Sequence, residues 1–226
     1  MCGRFVRHSS VNDIASYFGL GSVQTDLNPS FNIAPTQDIA AIVHSYKYET
    51  EALVSLKWGL LPSWAKDKSM LAKMINARAE TVAEKPSFRK AFYKRRCLIV
   101  LNGFYEWRKL DGGKEPVYIH LKNQKLFTLA GIFEGWKSPE GEVLYGCSII
   151  TTQANPLLSS VHHRMPVILP KSEHQLWLDP HMQDIKILQS VLLSYPAEEM
   201  SYYSVSDKVI KAAYNSPQCI ERKEIA

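Results

Sequence analysis

Three observations predict a largely antiparallel β fold with a few flanking helices. Short runs rich in branched and aromatic residues recur along the chain, each bounded by turn formers. Turn-type tetrapeptides punctuate its middle third. The few helical patterns do not alternate regularly with the strand-like runs, which argues against a doubly wound parallel sheet.

The elements follow in order. Ser10 or Asn12 is placed to cap a helix that runs to Phe18 and stops at Gly19. Strands are predicted over 39–43 and 52–58, with loop-rich but partly apolar zones at 19–36 and 59–76. Residues 77–83 and 87–95 read as two helical pieces broken at Pro86. Further strands are predicted over 97–101, 104–108, 116–121, 126–133, 144–152 and 165–169. Asp111-Gly112-Gly113-Lys114, Lys122-Asn123-Gln124-Lys125 and Ser138-Pro139-Glu140-Gly141 read as hairpin loops between them. Asn155-Pro156 opens a short helix to Val161, and 172–178 and 184–193 complete the helices, the last strongly amphipathic.

Composition bounds the function. With 226 residues, 46% hydrophobic and 22% charged, the chain is an ordinary globular protein able to bury a full core. No apolar run approaches the ~20 residues of a membrane helix, and the start lacks a secretory pattern. A net charge of +5 permits a polyanionic partner without demanding one. The four cysteines, Cys2, Cys97, Cys147 and Cys219, form no CxxC pair, so a zinc site has little support, and no metal site is expected. Scattered cysteines without a signal point to a reducing cytoplasm. Cys97 and Cys147 lie in apolar runs and read as small buried hydrophobes.

Five segments could carry chemistry, and each has a plainer structural reading. Removal of Met1 would leave Cys2 with an α-amine of reference pKa about 7.7–8.0 beside a thiol of about 8.5. Amine and thiol on adjacent carbons can capture one aldehyde, first as a Schiff base and then as a thiazolidine ring; alternatively the thiolate attacks an acyl group. A cysteine idle at position 2 is the plain alternative. Asn76 and Arg78, in Asn76-Ala77-Arg78-Ala79-Glu80-Thr81, are suited to a sugar-phosphate or, more simply, to a helix cap and a surface ion pair. Glu106, between Tyr105 and Trp107, is either a desolvated proton-transfer group or a solvent-facing residue among core aromatics, and Trp107 could stack on a base. His162, two residues before Arg164, is a general-acid candidate beside an anion site or a buried, hydrogen-bonded histidine, with Thr151 and Thr152 close by. The interleaved basic and aromatic stretch 88–96, which contains Arg89, suits a phosphate-tracking surface or a solvated helix face.

Taken together, the ordered segments are more informative. They are Met1-Cys2-Gly3-Arg4-Phe5, Asn32-Ile33-Ala34-Pro35-Thr36, Trp58-Gly59-Leu60-Leu61-Pro62-Ser63-Trp64, Asn76 to Thr81, Gly103-Phe104-Tyr105-Glu106-Trp107 and His162-His163-Arg164-Met165-Pro166. With Val205-Ser206 and Pro217 to Glu221, this ensemble resembles the SRAP family, the SOS-response-associated peptidases or abasic-site processing proteins, over nearly the whole chain. The resemblance implies one α+β domain over 1–226, with a mostly antiparallel, β-barrel-like core and flanking helices. It also implies a groove for single-stranded DNA and a role in DNA-damage repair, with Cys2 crosslinking covalently to the ring-opened aldehyde of an abasic site. The family's catalytic positions fall on Cys2, Asn76, Glu106 and His162. Its DNA-contacting positions fall on Arg4, Pro35, Trp64, Arg78, Arg89, Trp107, Thr151 and Arg164. A cytoplasmic monomer with no cofactor and no membrane partner is expected, with lyase or self-processing peptidase chemistry as secondary activities.

Rival readings are an N-terminal-nucleophile glutamine amidotransferase, with Asn102-Gly103 echoing an oxyanion hole, and a non-catalytic single-strand binding module. A thiol protease using Cys2, His162 and Asn76 is a third.

Overall fold

The computed structural model describes residues 2–46 and 49–224. In chain order its strands are β1 (Phe5–Arg7), β2 (Ser22–Gln24), β3 (Ser30–Ile33), β4 (Asp38–Ser45), β5 (Thr50–Trp58), β6 (Asn76–Arg78), β7 (Arg96–Leu101), β8 (Gly103–Leu110), β9 (Gly113–Leu121), β10 (Phe127–Lys137), β11 (Val143–Gln153), β12 (Arg164–Pro166), β13 (Ile168–Leu169) and β14 (Met200–Ser204). The α-helices are α1 (Val11–Phe18), α2 (Arg89–Lys94), α3 (His174–Leu178) and α4 (Ile185–Ser190).

One sheet runs β14-β9-β8-β1-β3 and the other β12-β11-β10-β7-β4-β5-β2. In the second, β5 also pairs in parallel with β11, Gly146 opposite Lys57 and Cys147 opposite Trp58. That pairing closes β4, β5, β11, β10 and β7 into a five-stranded barrel. Closure depends on two glycines. A Cβ at Gly146 would strike the carbonyl of Gly59, and one at Gly59 (φ 139°) would strike the carbonyl of Leu71.

The barrel strands are apolar on both faces, which is why they read as continuous runs rather than alternations. Ile39, Ala41, Val43, Cys97, Ile99 and Leu101 share one core cluster. Ala40, Ile42, Leu98 and Val100 point the other way, into a second cluster with Ile14, Phe92, Trp177 and Leu188 from the helices. The five-stranded sheet turns Phe104, Val117 and Ile119 toward the first cluster. On its opposite face Tyr105 and Tyr118 pack with Val205, Val209 and Cys219 from the C-terminal segment. Cys97 and Cys147 are fully buried, in keeping with their apolar context.

Local chemistry set several elements as expected. Ser10 and Asp13 form a reciprocal capping box, and Gly19 ends α1 in the left-handed region. The loops at 111–112 and 138–141 close true hairpins, β8–β9 and β10–β11. Other expectations were wrong. Residues 77–83 form no helix, because Asn76–Arg78 pairs in parallel with Ile149–Thr151 and Ala79 N–H bonds the Thr151 carbonyl. Lys122–Lys125 is not a hairpin loop; it carries the chain from the five-stranded sheet to the barrel, and β9 pairs instead with β14. The strand expected over 165–169 divides into β12 on β11 and β13 on β10.

The basic stretch 88–96 is partly structural. Arg96 is buried, and its guanidinium donates to the carbonyls of Phe92, Tyr93, Trp177, Asp179 and Met182. Arg95 pairs with Glu134 at 2.8 Å.

Candidate active site

The N-terminal segment threads into the fold beside β8: Phe5 pairs with Phe104, and Tyr105 N–H donates to the Arg4 carbonyl at 2.9 Å. Asn102 fixes the next turn of chain, accepting from the amides of His8 and Ser9 and donating to the Lys125 carbonyl. An asparagine so occupied is no oxyanion-hole donor, which removes the structural basis of the amidotransferase reading.

Cys2 has no exposed surface and lies in the same apolar cluster as Trp58, Ile149, Leu158, Val161 and Met165. Asn76, at the start of β6, donates from Nδ2 to the Cys2 carbonyl at 2.9 Å. Its Oδ1 is buried and has no hydrogen-bond partner among the described residues. Glu106 stands two residues beyond Phe104 on the barrel-facing side of β8 and is 5% exposed. Burial pushes its carboxyl above the usual carboxylate range. Burial likewise pushes the Cys2 thiol far up, and the charge of neighbouring Glu106 adds to that; an amide hydrogen bond from Arg4 opposes it.

His162 follows the short turn Leu158–Ser160, whose flanking Leu158 and Val161 pack in the Cys2 cluster. Its Nδ1 accepts the Arg164 amide N–H at 2.9 Å, and its ring stacks on His163 at 4.3 Å. Burial lowers its pKa, which favours the neutral ring, and the same Nδ1 lies 3.2 Å from the Arg164 carbonyl. Asn76 bonds Cys2 and not this imidazole, so the cysteine–histidine–amide geometry of a thiol protease is not assembled.

The residues expected to meet DNA occupy different settings. Trp64 is 58% exposed, on a loop pinned where Trp136 Nε1 donates to the Ala65 carbonyl at 2.7 Å. Arg78 and Arg89 are exposed, the first on β6 and the second at the start of α2. Pro35 is half-buried in a turn held by Trp58, whose carbonyl accepts from Thr36 N–H and whose amide donates to the Gln37 carbonyl. Trp107 is half-buried, with the Arg4 guanidinium 5.9 Å above its ring. Arg4 itself donates to Asn32 Oδ1 and the Val209 carbonyl. Thr151 is fully buried, so as it stands its hydroxyl supports neighbours instead of reaching a ligand. Arg164 is 8% exposed and bonded to Glu80 and Thr151.

A family model, "SOS response associated peptidase (SRAP)", matches residues 1–212. The chain belongs to the SRAP family. It is 46% identical over 224 residues to the abasic site processing protein YoqW of Bacillus subtilis (strain 168), covering 98% of this chain and 99% of that one. The abasic site processing protein HMCES of Gallus gallus is 32% identical over 222 residues, covering 85% of this chain and 66% of that one. A crystal structure of a protein from Bacteroides thetaiotaomicron superposes with a TM-score of 0.89 at 29% identity, covering 99% of this chain and all of that one. The α+β fold with its barrel core is therefore the SRAP fold. Two residues that the sequence motifs contain but gave no role, Glu80 and Asn32, prove central to the local bonding. Asn32 donates to the carbonyls of Val209, Lys211 and Tyr214.

Proposed function

We propose that this SRAP chain processes abasic sites in single-stranded DNA, forming a covalent link through Cys2 once that residue heads the chain. The reading is carried by one convergence. Asn76, Glu106 and the segment bearing His162, far apart in sequence, all meet at or beside Cys2. The names of the relatives support the substrate.

In the encoded chain the Cys2 nitrogen is an amide, and the sulfur is enclosed. Removal of residue 1 supplies an amine, and the mature chain must open a path to the sulfur. A closed abasic sugar is a hemiacetal. The His162 imidazole relays one proton: it accepts from the C1′ hydroxyl, which becomes the aldehyde, and delivers a proton to the ring oxygen as the C1′–O4′ bond breaks. Glu106, whose raised pKa makes its carboxylate a stronger base, takes a proton from the Cys2 ammonium. The amine then adds to the C1′ aldehyde. Protonated Glu106 returns its proton to the departing hydroxyl, so one water leaves and an imine forms. The Cys2 sulfur bonds to the same carbon of this protonated imine, the C=N electron pair returns to nitrogen, and the thiol proton passes to the Glu106 carboxylate. The product is a thiazolidine. Until the ring closes, the imine activates the C2′ proton, so slow closure is accompanied by weak strand cleavage. Asn76 anchors the Cys2 carbonyl and offers Oδ1 to a sugar hydroxyl. Arg4, Arg78 and Arg89 supply a sequence-independent attraction for the backbone, while Pro35, Trp64 and Trp107 line or stack against the strand.

Incubation of mature protein with an abasic oligonucleotide, followed by intact-mass measurement, tests this. The expected adduct has the summed mass less one water, and Cys2→Ala gives none. If Cys2→Ala crosslinks as well as the parent, or if protein retaining Met1 forms the same adduct, the ring chemistry is wrong.

A further inference from the structure

Arg164 was expected to hold a phosphate. The structure gives its guanidinium other work. Nη1 donates to Glu80 Oε1 at 2.6 Å, and Nη2 donates to Glu80 Oε2 at 2.9 Å. Nη2 also donates to the Thr151 carbonyl at 2.5 Å. The side chain is 9% exposed, whereas that of Glu80 is 46% exposed. This bidentate fork is the strongest geometry available to an arginine and a carboxylate. It ties three pieces of backbone together: the turn after β6, the end of β11 and the start of β12.

The same residue 164 supplies the amide that bonds His162 Nδ1 at 2.9 Å. The guanidinium and the histidine support are thus two ends of one residue. We propose that Glu80 is a positioning residue. By holding both terminal nitrogens of Arg164 it fixes the residue-164 amide, and that amide fixes the tautomer and direction of the His162 ring. This rests on the abasic-site reading above for its chemical consequence, but its structural half does not. Arg164 is accordingly held as a bracket here, and Arg78, exposed on β6, lines the same surface depression. The Arg164 bonds hold the Glu80 carboxyl below its usual range, so the bracket stays charged through the whole neutral region.

The test uses the full mature chain with Glu80→Gln and Glu80→Ala. Three quantities are read: the His162 ring-nitrogen signals without DNA, the affinity for an intact single strand, and the single-turnover rate on an abasic strand. In the parent, His162 shows the Nε2–H form. In Glu80→Ala that signature weakens toward a tautomer mixture, the crosslinking rate falls on the order of tenfold to a hundredfold, and affinity for the intact strand changes little. Glu80→Gln, which retains one donor–acceptor contact, lies between. An unchanged His162 signature with an unchanged rate overturns the proposal. So does tighter binding with faster reaction, because Glu80 would then be a stand-in for phosphate that DNA must displace. Should Glu80→Ala fail to fold, Glu80→Gln carries the same comparison. If the parent itself forms no adduct, the functional reading fails, while the ring-nitrogen signals still decide the positioning role.

Discussion

Replacing Asn76 by alanine separates stability from reaction more cleanly than any other change in this site. Its backbone is held by parallel pairing with Ile149, so the strand remains. Losing Nδ2 strands the Cys2 carbonyl, a cost of about 1–3 kcal/mol if it stays buried. Losing Oδ1 removes an acceptor that is already buried and unsatisfied, which returns a similar amount, about 1–3 kcal/mol. The two nearly cancel. A residual of about 1 kcal/mol moves the melting temperature by only about 2–4 °C in a chain of this size. The reaction has no such compensation. Loss of both the anchor on Cys2 and the hydroxyl acceptor, about 1.4–2.8 kcal/mol at the transition state, slows single-turnover crosslinking roughly ten- to a hundredfold. Differential scanning calorimetry and a quenched-flow denaturing gel measure the two effects side by side. A rate within twofold of the parent would refute the argument. A melting point lowered by about 10 °C would do so too, since Asn76 would then be a structural strut.

Two further perturbations follow. Because the folded pKa of Glu106 is raised, its contribution to stability is complete below the unfolded value and is lost as pH rises through the folded one. Glu106→Gln should therefore melt higher than the parent at pH 7, by about 2–4 °C, with the gain shrinking at pH 4, while crosslinking falls about 10²–10⁴-fold; an equal shift at both pH values would contradict the burial argument. Arg96→Lys offers three donors where five carbonyls accept, so calorimetry should find it destabilised by about 2–4 kcal/mol, with normal crosslinking per folded molecule. A parental melting temperature would show that the five bonds carry no net weight.

Much of the fold was legible where short-range chemistry decides it. The Ser10–Asp13 box, Gly19 and the Asp111–Lys114 turn act within a few residues, and both elements they define, α1 and the β8–β9 hairpin, formed. What failed was decided at long range. Ala77 to Ala83 has good intrinsic helix propensity, but the edge of β11 offered hydrogen bonds to Asn76–Arg78 that outweighed it. The turn-like Lys122–Lys125 says that the chain reverses, not which strand receives it. Cys2, Glu106 and His162 were nameable from residue type and order. The burial of Thr151 and the capture of Arg164 by Glu80 were not, because a carboxylate in Asn76–Thr81 reads as a solvent-facing helix residue until the strand pairing is known.

The anchoring of Arg4 on the Val209 carbonyl, and of Asn32 on the carbonyls of residues 209, 211 and 214, joins segments far apart in sequence. Residue 4 is thus seated by a carbonyl 205 residues further along the chain. A chain cut before residue 209 keeps Cys2, Asn76, Glu106 and His162 but loses the contacts that seat Arg4 and Asn32. Under the proposed mechanism, a polypeptide ending before residue 209 should react with an abasic strand more slowly than the full chain does.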